Sequence, residues 1–167
     1  NRTLHSHFRR PIQEREAMRD WLTDKHFTHF VTLTSNNQVL SRELMKKRLR
    51  SWDARVNRAI VGPKWHKRYD ERINWIAFPE KQNTNPHWHL LLQLLNEQIA
   101  TFDVPGDNGQ TPFEKVVASS WISQLPSGYT DVCRIHNKAA AYKYASKSLG
   151  YGPHSADFVI SLEYLNT

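Results

Sequence analysis

A chain of 167 residues with 39% hydrophobic side chains is long enough to bury one core and too short for two full domains, so a single domain over 1–167 is expected. Lys and Arg number 23 against 16 Asp and Glu, a formal charge of +7 with a pI near 9.7, which suits a polyanionic partner, either nucleic acid or an anionic membrane surface. No apolar run approaches the roughly 20 residues that cross a bilayer, NRTLHSHFRRPIQ lacks the apolar centre of a signal peptide, and a lone cysteine, Cys133, excludes an internal disulfide and a thiolate zinc framework.

A soluble, intracellular protein without a membrane partner is therefore expected, with Cys133 a buried structural residue. A start at Asn1 rather than Met fits a processed form or a piece of something longer. Pro11 to Asp24 (PIQEREAMRDWLTD) is charge-rich, with Ile12, Ala17, Met18, Trp21 and Leu22 near helical spacing, and predicts an amphipathic covering helix. THFVTLT, Thr28 to Thr34, is dense in β-branched and aromatic residues and runs into SNN, a strand followed by a turn. Ser41 can cap the next helix, in which Met45, Leu49, Trp52 and Val56 form an apolar stripe while Arg42, Lys46, Lys47, Arg50 and Arg55 stay off it. GPKWHKRYD, Gly62 to Asp70, reads as a basic, aromatic-rich loop. RINWIAFP, Arg72 to Pro79, reads as a second strand, and the turn KQNTNP leads into a third over His87 to Leu95, a β-hairpin.

Residues 101–110 are turn-rich, and Thr111-Pro112 opens a helix with Pro at its permitted first position, carrying Phe113, Val116, Val117 and Trp121. A short strand over Thr130 to Ile135 follows, and Asn137 can cap a last helix through KAAAYKYASKSL, stopped at Gly150. Helix, strand, helix, strand, strand, helix, strand, helix around a central hairpin implies an α+β fold, a mainly antiparallel sheet with helices packed on it.

Chemistry concentrates in NPHWHLLLQL, Asn85 to Leu94. Strand side chains alternate, so His87 and His89 share one face while Trp88, Leu90, Leu92 and Leu94 share the other. Two imidazoles so placed can converge on one divalent ion, and Glu80, just across the hairpin turn, can supply a third, carboxylate ligand. This mixed nitrogen and oxygen set suits Mn²⁺ or Mg²⁺ in an enzyme acting on phosphate. Far along the chain, AYKYASK, Ala141 to Lys147, places Tyr144 and Lys147 on one helix face and Tyr142 about 200° from Tyr144. A tyrosine near a divalent ion is a competent nucleophile on phosphorus, and a neighbouring ammonium balances developing charge.

FVTLTSN (Phe30 to Asn36), HWH followed by leucines (His87 to Leu92) and YASK (Tyr144 to Lys147), in that order, resemble the three ordered motifs of the HUH endonucleases. The likeness is to the single-tyrosine replication initiators (Rep proteins) of rolling-circle plasmids and small circular single-stranded DNA viruses. The resemblance implies a ferredoxin-like or RRM-like sheet with the two-histidine strand central. It implies His87, His89 and Glu80 as metal ligands, Tyr144 as nucleophile and Lys147 as its helper. It further implies nicking of single-stranded DNA, at a hairpin-borne origin, through a 5′-phosphotyrosyl adduct and a free 3′-hydroxyl. Tyr142 is the alternative nucleophile. No GxxxxGK followed by Ser or Thr occurs, so either the nicking domain alone or a helicase-free initiator is expected, with host replication proteins or a helicase as partners. The compartment would be cytoplasm for a plasmid or phage protein and nucleus for a eukaryotic virus. A single-tyrosine transposase with the same chemistry, or an RRM-like binding module without catalysis, are the alternative readings.

For holding DNA, the candidates are cations along a track and flat rings for stacking. These are Arg9 and Arg10; Lys46, Lys47, Arg48 and Arg50; and Lys64, Trp65, Lys67, Arg68 and Tyr69, with Trp65 equally readable as a buried plug. Thr32 and Thr34 share a strand face and either touch DNA or support the sheet. His136, before the tyrosine helix, either contacts DNA or replaces Glu80 as a ligand. His26 and His29 read as structural.

Overall fold

The computed structural model describes residues 16, 20, 26–36, 38–80, 84–145 and 158–164, the side chains of 144 and 145 excepted. Five strands, β1 (His29–Thr34), β2 (Asn74–Glu80), β3 (His87–Gln93), β4 (Tyr129–Arg134) and β5 (Val159–Ile160), form one antiparallel sheet in the order β4-β1-β3-β2-β5. Among the described residues, the helices with both ends described are α1 (Arg42–Val61), α2 (Asn96–Phe102), α3 (Pro112–Ile122) and α4 (Lys138–Ala145). The molecule is thus α+β, as its element order implies.

The helix starts follow local chemistry. Ser41 Oγ accepts from Leu44 N at 3.2 Å, and Thr111 Oγ1 accepts from Glu114 N at 3.1 Å ahead of Pro112. Asn137 Oδ1 accepts from Ala140 N at 3.1 Å at the head of α4. Each cap satisfies a donor that the first turn leaves without a helical partner. After β1 the chain turns through Asn36, whose φ of 53° is a left-handed conformation that Asn tolerates.

β3 sits in the middle of the sheet and is buried on both faces. On one face Trp88, Leu90 and Leu92 join Val31 and Leu33 of β1 and Trp75 and Ala77 of β2. The stripe Met45, Leu49, Trp52 and Val56 of α1 and Phe113, Val117 and Trp121 of α3 close this main core. Its indoles are satisfied: Trp52 Nε1 donates to Val117 O, Trp88 Nε1 to Met45 O and Trp121 Nε1 to Thr34 O. Buried Asp53 ties α1 to the head of β2, accepting from Trp75 Nε1 at 2.8 Å, Asn57 Nδ2 at 3.1 Å and Arg72 Nη2 at 3.3 Å.

The other face carries a smaller cluster, Ile76, Phe78, Leu91 and Tyr142, with Phe30, Ile135, Phe158 and Ile160 packed on it. α4 covers this cluster through Tyr142. The same face carries Glu80, two residues beyond Phe78, and His89 and His87, two and four residues before Leu91.

Several expectations need correction. Cys133 is exposed, not buried, because β4 is an edge strand and only its alternate residues reach the core; partial desolvation and the neighbouring Asp131 carboxylate push its thiol up. The loop at 62–70 contains two short 3-10 turns, Trp65–Lys67 and Tyr69–Glu71. β3 ends at Gln93 instead of Leu95, and α2 follows almost at once. Of the expected helix over Pro11 to Asp24, Glu16 and Asp20 are described and are helical. Arg9, Arg10 and Lys147 lie outside the described residues. Among the described residues no helix is long and apolar enough to cross a membrane.

Candidate metal centre

Register builds the centre. β2 pairs with β3 so that Glu80 stands opposite His87 and Phe78 opposite His89, while β1 sets Thr34 opposite His87 and Thr32 opposite His89. Cross-strand partners point to the same face, so six side chains form two adjoining rows, Glu80-His87-Thr34 and Phe78-His89-Thr32. Pro79 is tolerated between Phe78 and Glu80 because β5 reaches β2 only at Ile76 and Ala77, which leaves the last part of β2 as an edge.

Three donor atoms converge. Glu80 Oε2 lies 2.9 Å from His87 Nε2 and 2.5 Å from His89 Nε2, and the two Nε2 atoms are 3.0 Å apart. His87 Nδ1 is 2.8 Å from Asn85 O. A carbonyl only accepts, so Nδ1 carries the proton, and in the neutral ring Nε2 presents a lone pair. That lone pair faces a second imidazole nitrogen and a carboxylate oxygen, an arrangement that a cation among them would satisfy. Two donors bound at about 2.1 Å to one ion and subtending a right angle lie about 3.0 Å apart, which is the Nε2 to Nε2 separation. The residues therefore fit a divalent ion, and among the described residues they form the one such group of three, all donor atoms within 4.8 Å of each other.

The rings are held from behind. Thr32 Oγ1 lies 3.2 Å from His89 Nδ1, and the Phe30 ring stacks on the His89 ring at 5.3 Å and 26°. The turn that carries Asn85 is clamped to the end of β1: Ser35 N donates to Pro86 O at 3.0 Å, and Ser35 Oγ to Asn85 Oδ1 at 3.3 Å. His87 and His89 are 7% and 6% exposed and the Glu80 side chain 16%, a sheltered cluster with one open side. Asn85 and Phe30 as supports escaped the sequence, since a carbonyl partner and a stacking ring carry no motif.

The tyrosine helix lies on this face. Tyr142 is 3% exposed, edge-on to Phe27 at 5.9 Å, and Lys138 Nζ sits 5.5 Å from its ring centre. Burial raises its hydroxyl above the usual phenol range. Tyr144 follows two residues on in α4.

The expected DNA-contacting residues disperse. Lys64, Trp65, Lys67 and Arg68 precede β2 at its Asn74 end, which pairs with Gln93, roughly 20 Å of strand from Glu80. There Arg72 lies over the Trp65 ring at 4.8 Å, and Trp65 is half-buried. Lys46, Lys47 and Arg50 are exposed on α1, on the opposite side of the sheet from the histidines. They line a groove of about 750 Å³ with Phe158, Val159, Glu163 and Tyr164, where Arg50 lies 5.7 Å over the Tyr164 ring and burial, aided by Glu163, pushes the Tyr164 hydroxyl up to about 12. His136 is exposed, outside the cluster, on the rim of a cavity of about 340 Å³ walled by Phe30, Ile135 and Ala141. His29 is buried with Nδ1 2.7 Å from Thr28 Oγ1 and Nε2 3.1 Å from Asp103 Oδ1, a structural placement.

Comparison of the chain with protein-family models, with curated proteins and with solved structures finds no match.

Proposed function

We propose that the protein is a metal-dependent nicking endonuclease and strand transferase of the HUH type, which cuts single-stranded DNA at a replication origin and so starts rolling-circle replication. The observation that carries this reading is the convergence of Glu80 Oε2, His87 Nε2 and His89 Nε2 on the central strand, with His87 held in the tautomer that offers Nε2. Two further observations support it. The βαββαβ connectivity with strand order β4-β1-β3-β2 is compatible with a ferredoxin-like sheet, the arrangement the motif resemblance implies. α4, which includes Tyr144, packs on the histidine face through Tyr142.

A divalent ion held there, Mn²⁺ or Mg²⁺, would polarise a non-bridging oxygen of the scissile phosphate. Glu80 balances its charge, while Asn85 and Thr32 fix the two rings. Tyr144 forms a new bond from its phenol oxygen to phosphorus, the bond from phosphorus to the 3′ oxygen breaks, and that oxygen leaves as the 3′-hydroxyl after taking a proton. Lys147 offsets charge at the phenolate. One phosphate ester replaces another, so the step runs in reverse and rejoins strands. Tyr142, buried and with its hydroxyl pushed up, is placed for packing, which supports Tyr144 as the nucleophile.

The test is incubation with a pool of labelled single-stranded oligonucleotides, with and without Mn²⁺, followed by denaturing analysis of protein mass. A metal-dependent adduct is expected, lost in His87→Ala and in Tyr144→Phe and retained in Tyr142→Phe. Binding without an adduct, across several metals, would replace this reading with a non-catalytic binding module.

A further inference from the structure

We propose that the exposed edge strand β4 reads the nucleobases beside the scissile phosphate, with Tyr129 as the stacking platform and Asp131 as a base-edge acceptor; this rests on the nicking reading and extends it to how DNA is oriented. β4 alternates in burial: Thr130 and Val132 are turned inward, whereas Tyr129, Asp131 and Cys133 are exposed. Its register against β1 pairs Tyr129 with Thr34 and Asp131 with Thr32. The two rows of the metal centre therefore continue across the sheet, as Glu80-His87-Thr34-Tyr129 and Phe78-His89-Thr32-Asp131. Tyr129 lies two strand spacings from His87, roughly 10 Å, within one or two nucleotides of a phosphate held at the cluster.

Tyr129 is 60% exposed, an unusual position for a large ring on a strand, and the core makes no use of it. Gly128 before it has to be glycine, because a Cβ there would meet Trp121 Nε1 at 2.8 Å and Leu125 O at 2.9 Å. The base of the strand is thereby pinned against Trp121, whose indole also donates to Thr34 O at 2.8 Å. The exposed ring stands on a rigid support beside the centre, and a nucleobase stacks on such a ring without regard to sequence.

Asp131 fixes which part of the DNA faces β4. A carboxylate repels phosphate but accepts from the exocyclic amino groups of cytosine, adenine and guanine, and the outward face of β4 from Tyr129 to Cys133 carries no cation. The phosphate backbone accordingly runs over the histidines and the bases turn toward the edge. Thr34 and Thr32, between the two, offer hydroxyls to either.

The experiment is fluorescence anisotropy with labelled single-stranded dC, dA and dT oligomers in Mn²⁺, using wild type, Tyr129→Ala, Tyr129→Phe and Asp131→Asn, with melting curves for each and the adduct assay in parallel. Tyr129→Ala is expected to weaken binding roughly 5- to 150-fold and Tyr129→Phe to preserve it. Asp131→Asn is expected to shrink the preference for dC over dT. Unchanged binding in Tyr129→Ala overturns the proposal, as does unchanged binding with a lowered melting temperature, which would assign the ring to contacts within the chain. Wild-type binding that depends on Tyr129 without any adduct keeps the subsite and removes the nicking reading; failure of the wild type to bind removes both.

Discussion

Glu80 and His87 stand directly opposite each other across β2 and β3, and their Oε2 and Nε2 atoms meet at 2.9 Å. A one-residue slip in register would send Glu80 to the other face, so the hairpin determines whether a three-donor centre exists. The pairing that aligns Phe78 with His89 also buries Trp75 and Ala77 with Trp88 and Leu90. Core packing thus selects the register that the centre needs.

A cation among three mutually facing donors stabilises the folded state over the unfolded one, where the donors are apart. Mn²⁺ at 100 times its Kd should add about 2.7 kcal/mol, a melting-temperature rise of about 5–10 °C for a chain of this size. Glu80→Gln, which keeps the shape and removes the charge, should reduce the rise, and His87→Ala should abolish it. Differential scanning fluorimetry with and without chelator reads this directly, and a full rise in His87→Ala would refute the centre.

Thr32 acts on the centre through His89, whose Nδ1 it meets at 3.2 Å. Thr32→Val keeps the volume and the β-branched shape and removes the hydroxyl. Removing partners of this kind typically lowers metal affinity 10–100-fold. Titration calorimetry with Mn²⁺ should show that loss with little change in melting temperature of the metal-free protein. An unchanged Kd would leave Thr32 as sheet support alone.

The features legible in the sequence are those set by neighbours along the chain. The stripe Met45, Leu49, Trp52 and Val56, the caps Ser41, Thr111 and Asn137, and the shared face of His87 and His89 all follow from period and local chemistry. Glu80 followed from the shortness of the hairpin turn. The rest depends on partners far apart: Thr32 meets His89 across 57 residues, and no local pattern marks that pairing. Cys133 was expected to be buried because the sequence does not say which strand lies at the edge. The two-residue β5 is too short for any period to show, and only the pairing of β2 with β3 places the Lys64 to Arg68 segment at the end away from Glu80.

Asp53 is the polar keystone of the main core. Asp53→Ala would leave Arg72 buried without its partner and the Trp75 indole without an acceptor, a loss of roughly 3–5 kcal/mol. Burial raises its carboxyl above 3.8 despite Trp75 and Arg72. The folded state therefore holds that proton more tightly than the unfolded one. Its contribution is greatest below 3.8 and is lost as pH rises through the raised value. Urea unfolding against pH should show this component, and Asp53→Asn should erase it; a slope unaltered in Asp53→Asn would assign it elsewhere.

His29 has the opposite sense. Burial lowers its pKa from 6.5, although Asp103 pulls upward and Arg134 adds a downward push. Arg134 itself pairs with Asp103 at 2.9 Å, so the carboxylate is shared and leaves burial dominant. With the folded value below the unfolded one, the unfolded chain binds the proton first. Stability is intact above 6.5 and falls as pH drops through the lowered value. His29 belongs to β1, paired with Leu92 and Arg134, in the strand that also positions Thr32. His29→Gln, which retains hydrogen bonding and does not titrate, should flatten the acid limb of the stability profile in the metal-free protein. Urea unfolding against pH reads that limb, and a limb unchanged in His29→Gln would place the acid sensitivity elsewhere than beneath β1.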